Sequence, residues 1–114
     1  MSFTATSSRS GRTAIITLEG ELDAITTPDF QREVERAADG ELDSLVLLMT
    51  KLSYVSSAGL RGLVFARQKM PDPVQIVVVG ANDAVEQTIR LVGFHHSVVF
   101  SDEVPEQIPE QVPE

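Results

Sequence analysis

Two adjacent hydroxyls, Ser56 and Ser57, sit in the stretch "LSYVSSAGLRGLVFARQ", residues 52–68. An apolar run ends at them, small residues follow, and a helical pattern then begins. A nucleophilic serine needs a strained elbow of the form G-x-S-x-G together with a His base and an acid. Around Ser57 the second glycine is Gly59, but Val55 stands at the first position. Around Ser56 both glycine positions are filled by Tyr54 and Ala58. No His, Lys or acid lies beside either serine, and the only histidines are His95 and His96. A hydrolase working through Ser57 and His95 is therefore a weak reading. A phosphate-binding loop fares no better. "SSAGLRG" lacks the G-K-[ST] ending whose lysine reaches the phosphates, and no G-x-G-x-x-G follows the first strand pattern. The chain has no cysteine, so a thiolate metal site is excluded. Adjacent histidines rarely point at one ion, so His95 and His96 are expected in a loop or at a strand edge. No metal or cofactor is implied.

One chemistry remains, with Ser57 as a substrate. A hydroxyl at a helix N-terminus lies where main-chain N–H groups are unpaired and the helix dipole is positive. A phosphate there adds about −1.5 to −2 charges at neutral pH, and the free N–H groups tolerate it. Ala58 and Gly59 would leave that turn open to another protein's active site. The plain alternative is an N-cap, worth ~1 kcal/mol over alanine. The residues by themselves leave both readings open.

The surrounding patterns say what positions these serines. "FTATSS" and "TAIITLEGEL" read as strands, with the glycine of "RSGR" as a hairpin turn. In "TTPDFQREVERAADG", Thr27 is the expected N-cap, Pro28 fits the first helical turn and Asp29 suits the positive end of the dipole. Phe30, Val34 and Ala37 form its apolar stripe, and Gly40 closes it. Leu45 to Met49 form an apolar run expected to be a buried strand. Leu60, Leu63, Val64 and Phe65 are the expected apolar residues of the next helix, capped by Ser57 or Ser56. Ile76 to Val79 read as another buried strand. Asn82 caps a third helix with Val85, Ile89 and Val92 inward, Gly93 ends it, and "HSVVF" supplies a short last strand. The order β-β-α-β-α-β-α-β predicts an α/β fold: a mixed sheet with parallel inner strands and alternating helices packed against it.

The 114 residues suit one domain, expected over 1–101. A net charge of −8 speaks against nucleic acid and against an anionic membrane surface, and it suits a partner with a basic surface. There is no apolar leader and no run of membrane-spanning length, so a cytoplasmic protein without membrane insertion is expected. The remainder, 102–114, ends in "VPEQIPEQVPE" and is expected to be a flexible, extended tail.

These motifs carry a resemblance. "LEGELDAITTPDFQREV", "LVLLMTKLSYVSSAGLRGLVFARQ" and "VQIVVVGANDAVEQTIRLVGF" resemble, in order and spacing, successive segments of STAS domains, and among them the bacterial anti-sigma factor antagonists. The resemblance covers about residues 3 to 101. It implies a small mixed sheet with helices mainly on one side, and a non-enzymatic regulator. In those antagonists a serine at the start of the second helix is phosphorylated by a kinase that is also the anti-sigma factor. The unphosphorylated protein binds that kinase and frees the sigma factor. The acceptor aligns with Ser57, with Ser56 as the alternative. Asp23 matches the aspartate of the Gly-Glu-Leu-Asp turn. Asp23, Ser56, Ser57, Ala58, Gly59, Leu60 and Arg61 form the implied partner-binding surface. The partners implied are an anti-sigma factor with serine-kinase activity and, as a further option, a second copy of this chain. Two departures stand out. Leu48, Met49, Thr50 and Lys51 occupy the places where the family's strand commonly runs into Asp-Leu-Ser-Gly, and Ser56 replaces a common Asp. The other role the resemblance allows is a phosphorylation-independent scaffold or accessory subunit, stressosome-like or a lipid-transport partner. A domain cut from an anion transporter is disfavoured by the opening Met1.

Overall fold

Strand β1 (Thr4–Ser10) and strand β2 (Thr13–Leu22) form the expected antiparallel hairpin in the computed structural model, which describes residues 3–70 and 73–103. Gly11 holds a φ of 61° in the two-residue turn, a conformation that side chains resist. Helix α1 (Thr27–Ala37), strand β3 (Ser44–Val55), helix α2 (Ser57–Lys69), strand β4 (Gln75–Val79), helix α3 (Asp83–Leu91), a short 3-10 turn (Phe94–His96) and strand β5 (Val99–Ser101) follow. The sheet runs β1-β2-β3-β4-β5, and every pair after the hairpin is parallel.

The helices share one face of that sheet. Phe30 and Val34 of α1, Leu63 and Ala66 of α2, and Val85 and Ile89 of α3 join Ile16, Leu18, Leu45, Leu47, Ile76 and Val78 in one apolar cluster. Alternation along each strand then sends Ile15, Val46, Leu48, Val77 and Val79 to the other face. The architecture is the expected mixed sheet with helices on one side.

Several local expectations need correction. The helix start falls one residue earlier than expected. Thr26 occupies the N-cap position without a side-chain cap bond, and the Thr27 hydroxyl instead donates to the Asp23 carbonyl at 2.6 Å. Strand β3 does not end near Met49 but continues through Lys51 to Val55, with Lys51 opposite Glu19. Relative to β2 it carries one extra residue between Leu48 and Lys51 and another between Leu52 and Tyr54. Each bulge resets the alternation, so Met49, Leu52 and Val55 all face the core at a spacing of three. On α2 the buried positions are Gly59, Gly62, Leu63 and Ala66, while Val64 is exposed and Leu60 and Phe65 are half-buried. Val92 is the C-cap residue after α3 and is exposed, because the helix ends at Leu91. The tail from Val104 onward lies outside the described residues.

Candidate functional site

The two serines do different jobs in one turn. Strand β3 ends at Val55, beside Leu22 of β2. The next main-chain N–H, that of Ser56, donates to the Leu22 carbonyl at 2.9 Å. This bond ties the start of α2 to the end of β2. Ser56 has extended backbone geometry, and its hydroxyl accepts the Gly59 N–H at 3.2 Å, which makes it the N-cap. Ser57 is then the first residue of the helix. It is exposed, and its hydroxyl makes no hydrogen bond among the described residues.

Asp23 follows Leu22 and so sits next to this junction. One of its carboxylate oxygens accepts the N–H groups of Ile25 at 3.0 Å and Thr26 at 3.1 Å. The Thr26 hydroxyl accepts the Asp23 N–H at 2.9 Å and donates to the Glu21 carbonyl at 2.7 Å. The N–H groups of Thr26 and Ile25 hold the Asp23 carboxyl below the ordinary aspartate range, Thr26 most strongly. Asp23 therefore builds the turn that leads into α1, and it stays ionised at neutral pH. Ala58 is half-buried, Gly59 is buried and Leu60 packs its side chain on the core cluster. Arg61 is exposed and makes no ion pair among the described residues.

Two exposed apolar side chains at this end of the sheet escape sequence reading. Ile25 is 85% exposed in the turn after Asp23, and Tyr54 is 52% exposed two residues before Ser56. Ile25 belongs to no helical or strand period, so nothing in the sequence marks it as surface. Tyr54 lies beyond the second bulge, where alternation fails. Large apolar side chains held in water mark contact surfaces when they cluster near a site.

His95 is not part of this site. Ser97, two residues past it, accepts from Arg67 at 3.3 Å. Arg67 lies ten residues, roughly 15 Å of helix, beyond Ser57. The histidines sit in the 3-10 turn, their ring centroids 4.0 Å apart, and no group of three or more metal-ligating side chains occurs among the described residues. Among the described residues the His95 Nδ1 is buried without a hydrogen-bond partner. Burial pushes the His95 imidazole below its ordinary range, and the charges of His96 and Arg90 push it the same way. In the unfolded chain the ring titrates near ~6.5. The unfolded state therefore binds the proton first as pH falls, and stability declines below pH ~6.5. Urea midpoints at pH 7.0 and 5.5 should show this loss, and His95→Gln should reduce it. An equal loss in that variant would assign the effect elsewhere.

The family model for the STAS domain matches residues 5–107, nearly the whole chain. The chain belongs to the STAS domain family. Solved structures agree on the fold. An anti-sigma factor antagonist from Mycobacterium paratuberculosis is 19% identical, with a TM-score of 0.81 over 90% of this chain and 88% of that one. The anti-sigma factor antagonist SpoIIAA in its unphosphorylated form is 17% identical, with a TM-score of 0.71 over 96% of both chains. The Bacillus cell fate determinant SpoIIAA in its phosphorylated form is 15% identical, with a TM-score of 0.68 over 98% of this STAS chain and 100% of that one. No protein of curated function matches in sequence. Among the described residues of this STAS protein, no helix is long and apolar enough to cross a membrane.

Proposed function

We propose that this STAS protein is an anti-sigma factor antagonist that binds an anti-sigma factor with serine-kinase activity and is switched off by phosphorylation of Ser57. The observation that carries the reading is the division of labour between the two serines. The Ser56 hydroxyl is half-buried and committed to the Gly59 N–H, whereas Ser57 is exposed with its hydroxyl unengaged among the described residues. A kinase can reach Ser57 without breaking the cap. The phosphate would add about −1.5 to −2 charges at the positive end of α2. That end of the helix tolerates an anion, so the domain keeps its fold while a partner docked on Ser57, Ala58, Arg61 and the exposed Ile25 is repelled. The resemblance to SpoIIAA, solved in phosphorylated and unphosphorylated forms, supports the same reading.

Site-mapped mass spectrometry tests it on protein from the native host during growth and stress, with Ser57→Ala alongside. The expected result is phosphate on Ser57 that varies with condition and at least a tenfold loss of phosphorylated protein in the variant. Phosphate retained on Ser57→Ala would move the site to Ser56. No phosphate in any condition would leave a STAS protein that binds its partner without a phosphorylation switch.

A further inference from the structure

Strand β4 stops opposite Leu48, so residues 49–55 of β3 run on with no strand on that side among the described residues. The Asn82 side chain takes over part of the missing contact. Its Nδ2 donates to the Leu52 carbonyl at 3.3 Å, and its Oδ1 accepts the Val85 N–H at 2.8 Å. One side chain therefore ties the overhanging strand to the start of α3. Past this tie, a cavity of about 140 Å³ lies between the end of β3 and α3, lined by Ser53, Tyr54, Val55, Ala84, Val85 and Thr88.

The lining decides what fits. Val55 and Val85 are buried and give the cavity an apolar floor, while Tyr54 and Ala84 are exposed at its rim. Each hydroxyl in the lining has one proton to donate, and both are committed within the chain. Ser53 donates to the Gly20 carbonyl at 3.0 Å, and Thr88 donates to the Ala84 carbonyl at 2.9 Å. The cavity thus favours an apolar group. Cavities of roughly 150 Å³ take a benzene-sized group, so one leucine-sized side chain fits. The charge beside it is acidic. Asp83 precedes Ala84 on α3, and Glu21 lies beside Tyr54 in the register. Both are exposed, and neither makes an ion pair among the described residues. In a chain of net charge −8, these carboxylates suit a basic segment.

We propose that this cavity receives one apolar side chain, of leucine size, from a basic segment of the protein that docks at Ser57. The inference rests on the reading of the chain as an antagonist that binds a kinase, and it adds a second anchor to that contact. Val55 is part of the cavity wall and lies two residues before Ser57, about 7 Å of extended chain. A partner that reaches the acceptor hydroxyl therefore covers the cavity mouth as well. The buried apolar anchor supplies affinity, and the carboxylates beside it supply orientation and a faster encounter.

The test adds a capped pentapeptide, Lys-Lys-Leu-Lys-Lys, to the unphosphorylated full chain and follows methyl NMR. Saturable shifts of the Val55, Ala84 and Val85 methyls are expected. Replacing the peptide's leucine with alanine, or its lysines with glutamates, should weaken binding about tenfold or more. Ala84→Trp, at an exposed position, should fill the cavity and abolish the shifts at Val55 and Val85. Its melting temperature should stay within about 3 °C of wild type. No saturable shift at these methyls overturns the proposal. Equal binding of the leucine and alanine peptides overturns it too, because charge alone would then account for the contact. The same shifts on concentrating the protein by itself overturn it in favour of a second copy. If Ala84→Trp fails to fold, the leucine-to-alanine comparison decides alone. The peptide assay needs no phosphate, so an empty cavity and an unphosphorylated Ser57 are separate failures.

Discussion

Gly59→Ala is expected to destabilise the protein by about 3 kcal/mol, a fall in melting temperature of roughly 10 °C. A Cβ at Gly59 would stand 2.5 Å from the Leu22 carbonyl oxygen, 3.0 Å from Val55 Cγ1 and 3.1 Å from Leu22 Cγ. The first contact decides the outcome. Side chains can rotate away, but this carbonyl is fixed because it accepts the Ser56 N–H at 2.9 Å. Moving it breaks the tie between β2 and the start of α2. Alanine is the better helix former by up to ~1 kcal/mol, and less than that in the first turn. The clash outweighs it. The helix start must shift, and Ser57 shifts with it. Thermal unfolding measures the stability loss, and in-vitro phosphorylation of the folded variant should fall as well. Wild-type stability in Gly59→Ala would mean that α2 is free to slide at its N-terminus.

That close approach explains why the site is only partly legible in the sequence. A glycine in "SSAGLRG" reads as a turn signal, whereas its role is to let a helix touch a carbonyl of a strand more than thirty residues earlier. The distinction between Ser56 and Ser57 is likewise invisible in the string. Both follow Val55, and only the backbone geometry at Ser56 decides which hydroxyl caps and which remains exposed. The elements themselves are legible where local chemistry is strong. Gly11 marks the hairpin, Asn82 accepts the Val85 N–H at 2.8 Å as a cap should, and Val85 and Ile89 fall inside at helical spacing. The pattern fails where geometry departs from the ideal period. Two bulges space Met49, Leu52 and Val55 by three, so the second half of β3 shows no strand period. Thr26 and Thr27 are equally good caps by type, and Asp23 decides between them by folding the preceding turn around Thr26. Val64 and Val92 follow the core residues of their helices in the sequence pattern, yet Val64 is exposed on α2 and Val92 is the exposed C-cap residue after α3.

Phe30→Ala is expected to have the largest effect on stability, a loss of about 3–5 kcal/mol. The Phe30 side chain is fully buried, and it packs where α1 meets α2 at Gly62. A Cβ on Gly62 would lie 3.4 Å from Phe30 Cδ2 and 2.8 Å from Thr27 Cγ2. The two helices therefore fit closely around an aromatic ring, and its removal leaves a cavity at their contact. A domain of this size holds about 5–15 kcal/mol in total, so the variant should sit near the edge of folding at 37 °C. Urea unfolding should show a lower midpoint with an unchanged slope. Phe30→Leu, which refills much of the volume, should recover more than half of the loss. The contrast with Gly59→Ala separates stability from the site. Phe30 supports the flank of α2, whereas the Ser56 N–H bond to Leu22 and the close approach at Gly59 fix its N-terminus. At a temperature where Phe30→Ala is folded, its Ser57 should be phosphorylated at the wild-type rate. A matching fall in rate would show that α1 packing, and not the strand junction, sets the position of the acceptor.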